Sequence, residues 1–138
     1  MVILDTNVLS ALMRQTPERH VVDWLDRQPR TSVWTSAVTV LEIRFGLQTL
    51  AAGRRRTLLT EAFDELLEKI DQRVAAFDTA AAELSSDLMA ARQKKGRPGD
   101  LRDTMIAGIV LAQHATLVTR NTAHFEDAKI PLVNPWMN

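Results

Sequence analysis

Short runs of aliphatic and β-branched residues alternate with segments of helical period along the whole chain, and no other feature narrows the choice of fold as far. Val2-Ile3-Leu4 is such a run, and Thr31 to Thr35, Val74 to Phe77, Thr116 to Thr119 and Leu132 to Asn134 are four more. After a tight turn at Asp5-Thr6-Asn7, a helix is expected from Val8 to Met13. Pro17 opens a second helix with Val21, Val22, Trp24 and Leu25 on its apolar face, and Pro29 closes it. Ser36 is placed to cap a third, in which Val38, Leu41, Phe45 and Leu50 recur at helical spacing before a stop near Gly53. From Arg55 to Asp71, Leu58, Leu59, Ala62, Phe63, Leu66, Leu67 and Ile70 imply one broad covered face. Asp78 or Thr79 caps an alanine-rich helix to Lys95, Gly96-Arg97-Pro98-Gly99 is a loop, and a last helix runs from Leu101 to His114. A polar segment from Asn121 to Lys129 separates the last two strands. Strands alternating with helices specify an α/β fold around a parallel sheet. With 138 residues, 46% of them hydrophobic, the chain has enough for one core, so residues 1–138 are read as a single domain.

What the chain lacks narrows its chemistry. It has no cysteine, so a bound metal would be held by oxygen or imidazole, which favours Mg²⁺, Mn²⁺ or Ca²⁺. No apolar run approaches the roughly 20 residues that span a bilayer, so a cytoplasmic protein with no membrane contact is expected. Seventeen basic and 17 acidic side chains cancel, so nucleic acid, if bound, is held by a local patch.

Three acids stand where chemistry is plausible, and each also has an ordinary explanation. Asp5 ends the first strand, where open parallel sheets bind ligands, yet it can equally cap the next helix. Glu42 shares a stripe with Val38, Leu41 and Phe45, where a charge is costly unless paired, with Arg44 for example, or bound to metal. Asp103 shares a face with Ile106, Ala107 and Val110, but it is also the third residue after the candidate cap Asp100. Together they are three inward-leaning carboxylates, and such a cluster needs protons or a hard cation to neutralise it. A divalent ion there, with open water positions, suits phosphodiester hydrolysis.

Four ordered segments then resemble the motifs of PIN domains, in particular the VapC and FitB toxins of bacterial type II toxin–antitoxin pairs. They are Val-Ile-Leu-Asp-Thr-Asn-Val-Leu-Ser at 2–10, Thr-Ser-Ala-Val-Thr-Val-Leu-Glu-Ile-Arg-Phe-Gly at 35–46, Asp-Thr-Met-Ile-Ala-Gly at 103–108 and Leu-Val-Thr-Arg-Asn-Thr-Ala-His-Phe at 117–125. Asn-Pro-Trp at 134–136 is similar to the end of the FitB-like branch. The resemblance implies a three-layer α/β/α fold, a homodimer, and endonucleolytic cleavage of RNA dependent on Mg²⁺ or Mn²⁺. It further implies a cognate antitoxin that blocks the site, assemblies of heterotetramer size or larger, and DNA contact only through that antitoxin. Asp5 and Asp103 take the family's metal-holding positions, and Glu42 the position of an acid acting through water or as a proton acceptor. Thr6, Asn7 and Thr119 match polar positions lining the family's site, and Asn121 stands where a fourth acid is common.

Arg92, Lys94, Lys95, Arg97 and Arg102 lead into the helix carrying Asp103 and are read as a phosphate-tracking rim, a solvated basic face being the plainer alternative. Arg54-Arg55-Arg56 is a second basic cluster. His20, His114 and His124 are read as surface or helix-end residues, and Trp24, Trp34 and Trp136 as packing residues. Two other functions compete: a weakly catalytic or non-catalytic regulatory subunit working through an antitoxin–DNA complex, and a phospho-accepting receiver domain. The helical placement of Glu42 and Asp103, and the absence of a lysine directly after the strand that ends at Thr119, count against the receiver.

Overall fold

Side chains alternate across a strand, so Ile3 and Leu4 at the end of the first strand must point into different layers. The computed structural model, which describes residues 1–137, shows the two layers that result. Strand β1 (Val2–Leu4) leads directly into helix α1 (Thr6–Met13), followed by α2 (Arg19–Asp26), β2 (Val33–Ser36), α3 (Ala37–Thr49) and α4 (Arg54–Lys69). Then come β3 (Val74–Ala75), α5 (Thr79–Lys94), α6 (Leu101–Gln113), β4 (Thr116–Val118), a 3₁₀ segment (Thr122–Ala128) and β5 (Leu132–Val133). The strands form one parallel sheet in the order β3-β2-β1-β4-β5. Leu4 and Val118 pack with Val8, Val21, Trp24, Phe63 and Leu67 on one face, and Ile3 and Leu117 with Ala81, Ile106, Val110 and Phe125 on the other. This is the three-layer α/β/α arrangement, and no helix among the described residues is long and apolar enough to cross a membrane.

Local signals placed most boundaries. Ser36, Asp78 and Asp100 each cap a helix, accepting a hydrogen bond from the backbone N–H three residues on. Four expectations are corrected. There is no separate turn at residues 5–7, because Asp5 itself is the N-cap of α1. Helix α2 begins at Arg19 rather than Pro17 and ends three residues before Pro29, which caps a 3₁₀ turn leading into β2. The polar segment 121–129 holds a 3₁₀ helix, Thr122–Ala128, that buries Phe125 and Ala128. Most tellingly, Leu41 and Phe45 are about 60% exposed, and α3 buries Val38, Thr39, Ile43 and Leu47 instead. Leu58 of α4 is likewise exposed.

Candidate active site

Strand order reverses direction between β1 and β4, and the crevice beyond their carboxyl ends is where a doubly wound sheet binds ligands. Asp5 and Thr119 stand on the two sides of it, each one residue past its strand. The Thr119 hydroxyl donates to Asp5 Oδ2 at 2.7 Å, bridging the crevice. Asp5 Oδ2 also accepts from Asn7 Nδ2 at 3.1 Å, while Oδ1 accepts from the Thr6 N–H at 2.8 Å. Asn7 is itself held, since its Oδ1 accepts from the Arg120 N–H. The capping and the functional readings of Asp5 are therefore compatible: one oxygen caps the helix and the other is presented by a threonine and an asparagine. Asp5 is only 4% exposed, and burial, the largest influence, pushes its carboxyl above the ordinary value. Its three hydrogen bonds pull it down, and the charge of Asp103 pushes it further up.

Glu42 reaches the same place from α3. Its Oε1 accepts from the Thr6 hydroxyl at 2.8 Å, and the Thr6 oxygen in turn lies 3.1 Å from the Thr39 hydroxyl and can accept from it, so the first turn of α1 and the buried side of α3 share one polar network. The expected partner Arg44 is engaged elsewhere, on Asp64 at 2.8 Å. The cation facing Glu42 is Arg102, 3.7 Å from Oε2 and half exposed. A pair of that kind contributes at most about 1 kcal/mol, so an incoming ion or phosphate can displace it.

Asp103 comes from the first turn of α6, where the Asp100 cap and the core residues Ile106, Ala107 and Val110 orient it as expected. Burial raises its carboxyl first, then the charge of Asp100; a hydrogen bond and the charge of His124 lower it, and Glu42 raises it again. Asp103 is thus felt by Asp5 on one side and feels Glu42 on the other, so the three acids from three distant parts of the chain share one electrostatic neighbourhood. Among the described residues no group of three or more acidic or histidine side chains stands close enough together to hold a metal ion by itself. That donor set fits Mg²⁺ or Mn²⁺ held by one or two carboxylates with water filling the other positions, the usual way Mg²⁺ is bound.

The supporting residues sort as follows. Thr6, Asn7 and Thr119 all hydrogen-bond the acids directly. Asn121 donates its backbone N–H to the Thr119 hydroxyl, but its side chain is exposed and makes no hydrogen bond among the described residues. Lys94, Lys95, Arg97 and Arg102 are exposed. Arg92 is a correction: it is 4% exposed and bonded to Asp127, Thr104 and the His124 carbonyl, so it has no place on a solvent-facing rim. The signal was in the sequence, because Ala81, Ser85, Leu88 and Arg92 follow one helical stripe, and the first two are buried. His124 was missed: exposed as expected, it nevertheless sets Nδ1 3.2 Å from Asp103 Oδ2. Trp24 packs in the core, and Trp34 and Trp136 pack against its two halves, Trp136 under the Arg120 guanidinium at 4.9 Å.

A family model for the PIN domain matches residues 2–130. The chain belongs to the PIN-domain family. It is 39% identical to a VapC ribonuclease of Sinorhizobium fredii over 137 residues, 99% of this chain and 98% of that one. It is 32% identical to the toxin FitB of Neisseria gonorrhoeae, with 99% of each chain covered. Its fold superposes on a chain of the structure of FitAB bound to a DNA fragment with a TM-score of 0.88 at 32% identity, over 99% of this chain and 96% of that one. The segments at 2–10, 35–46 and 117–125 are joined by hydrogen bonds, Asp5 to Thr119 and Thr6 to Glu42, and Asp103 of the segment at 103–108 meets His124 of the last.

Proposed function

We propose that this PIN domain is a divalent-metal-dependent endoribonuclease, the toxin of a type II toxin–antitoxin pair. The observation that carries the reading is the gathering of acids beyond the ends of β1 and β4: Asp5 and Glu42 both accept from Thr6, and Arg102, the neighbour of Asp103, faces Glu42. Asp5 and Asp103 are the residues that would hold Mg²⁺ or Mn²⁺, Glu42 through water, and the ion would supply activation of a water molecule and neutralisation of phosphate charge. The chain's own groups do the rest. Thr119 and Asn7 fix the Asp5 carboxylate, and Thr6 holds Glu42 by Oε1 so that Oε2 is the atom to take a proton from the attacking water. Arg102, once released from Glu42, is the cation placed to meet the scissile phosphate, with Lys94, Lys95 and Arg97 as further backbone contacts.

The likeness to FitAB bound to a DNA fragment supports a cognate antitoxin as partner and DNA contact through it. Leu41 and Phe45, one helical turn apart and exposed on α3, support a homodimer. The purified protein is expected to cleave RNA with Mg²⁺ or Mn²⁺, to stop on chelation, to arrest growth when induced without antitoxin, and to sediment as a dimer at micromolar concentration. Metal-independent cleavage, or none under any divalent ion, would overturn the enzymatic reading.

One observation favours a weakly catalytic protein working through its complex: the exposed amide of Asn121, uncommitted where relatives often carry an acid. An amide offers a neutral oxygen, so one firmly used metal position is expected rather than two. Asn121→Asp should bind Mn²⁺ more tightly and melt lower in chelator, because the added charge attracts the cation and repels its neighbours when the cation is gone. Calorimetric titration and melting curves measure both; unchanged affinity would place residue 121 beyond the reach of the ion.

A further inference from the structure

Four of the five guanidinium N–H groups of Arg92 are committed. Nε and Nη2 donate to the two oxygens of Asp127, each at 2.8 Å, Nη1 donates to the Thr104 hydroxyl at 2.8 Å, and Nη2 also donates to the His124 carbonyl at 2.9 Å. The loop after α5 closes over the group: a Cβ on Gly99, at φ +68°, would stand 2.9 Å from Nη1. One planar cation therefore joins the end of α5, the loop, the first turn of α6 and the 3₁₀ segment. Stability alone is a poor account of it, since buried ion pairs roughly break even against apolar packing.

Its position suggests another role. Thr104 is the neighbour of Asp103, and the His124 whose carbonyl Arg92 holds is the residue whose ring meets Asp103 Oδ2. Both sides of the Asp103–His124 contact are pinned from behind by the same guanidinium. Asp103 Oδ1 has no hydrogen-bond partner among the described residues, so fixing Oδ2 fixes the whole carboxylate with one oxygen free. We propose that Arg92 is a positioning residue for Asp103, acting through Thr104 and His124 to hold that carboxylate in place for a divalent cation. The inference rests on Asp103 being a metal-holding residue, as the proposed function has it. Fork geometry is the essential property, because a lysine ammonium cannot reach Asp127, Thr104 and the His124 carbonyl together.

The test is calorimetric titration of Mn²⁺ into RNA-free protein, with melting curves recorded alongside. Arg92→Lys, Asp127→Asn and His124→Ala are each expected to weaken Mn²⁺ binding by about tenfold, the usual scale for groups that orient a metal ligand. His124→Asn, which keeps a polar atom at the δ position, should restore most of the loss. Arg92→Lys combined with His124→Ala should cost no more than the larger single change, because the two act on one carboxylate by one route. Asp127 is 41% exposed and asparagine keeps one oxygen for the guanidinium, so its variant is the milder change, and it carries the test where the melting curves show Arg92→Lys unfolded. Wild-type affinity in Asp127→Asn and Arg92→Lys, with affinity lost in Asp103→Asn, would overturn the positioning role and leave Asp103 as a ligand. Additive losses in the double variant would overturn the route through His124. Undiminished affinity in Asp103→Asn would instead overturn the metal-site reading on which the inference stands.

Discussion

Asp103→Asn is expected to lower metal-dependent RNA cleavage by more than about a hundredfold while raising the melting temperature of the metal-free protein. Loss of groups that merely orient a metal ligand costs about 10- to 100-fold, so loss of a ligand should exceed that range. The stability gain has a separate origin. Burial, Asp100 and Glu42 hold the Asp103 carboxyl above its ordinary 3.8, more than His124 lowers it. Between 3.8 and the raised folded-state pKa, the folded chain keeps a proton that the unfolded chain has released. Folded protein binds more protons there, so its stability falls as pH rises through that window, and at neutral pH the ionised carboxylate is a liability. Asparagine removes it. Melting curves in chelator across that window should show a downward slope with pH that is shallower in Asp103→Asn. Asp5→Asn should lose cleavage equally but gain less stability. Asp5 shares the raised carboxyl, yet its two oxygens accept from Thr6, Asn7 and Thr119, and an amide has only one oxygen to offer them. Cleavage at the wild-type rate in either variant would remove these carboxylates from the reaction.

Gly108→Ala is expected to destabilise the protein by about 3 kcal/mol, the upper part of the range for overpacked cores. Helices α5 and α6 lie too close there to admit a side chain. A Cβ on Gly108 would stand 1.9 Å from Ser85 Oγ, 2.5 Å from the Ala81 carbonyl oxygen and 3.0 Å from Ser85 Cβ. The serine hydroxyl has little freedom to turn aside, because it donates to the Thr104 carbonyl in a fully buried position. The carbonyl cannot turn at all without moving α5. Alanine's intrinsic helical advantage of about 1 kcal/mol over glycine is too small to offset the clash. A drop of roughly 10 °C in melting temperature follows for a chain of this size. Ser85→Ala in the same background should recover only part, since it removes the hydroxyl and leaves the contact with the Ala81 carbonyl. Thermal melts of the three proteins decide it; an unchanged melting temperature in Gly108→Ala would show that the helices separate at little cost. Because α6 carries Asp103 and α5 carries Arg92, the same substitution should also weaken Mn²⁺ binding.

The layout of strands and helices was legible because it depends on interactions within a few residues. The apolar run at Val2–Leu4 followed by an acid, and the caps Ser36, Asp78 and Asp100 each reaching an N–H three residues on, are complete in a short window of sequence. Asp5 and Asp103 were legible for a related reason, since each sits at an element end and the family motifs order them along the chain; Glu42 was named by its motif, but the stripe it shares with Leu41 and Phe45 faces solvent, and its link to Asp5 runs through Thr6. What lay beyond the sequence was which partner each helix would meet. Leu41 and Phe45 follow the helical period as well as Ile43 and Leu47 do, and only the packing of α3 against α1, α4, α6 and β2 decided which pair was buried. Arg92 read as one more solvated cation until α5 packed against α6 and enclosed it with Asp127 and Thr104. His124 gained its meaning from Asp103, 21 residues away. The physical reason is common to all three: periodicity specifies that a face will be covered, whereas the choice of face and partner is settled by the competition for burial among elements brought together by the whole fold.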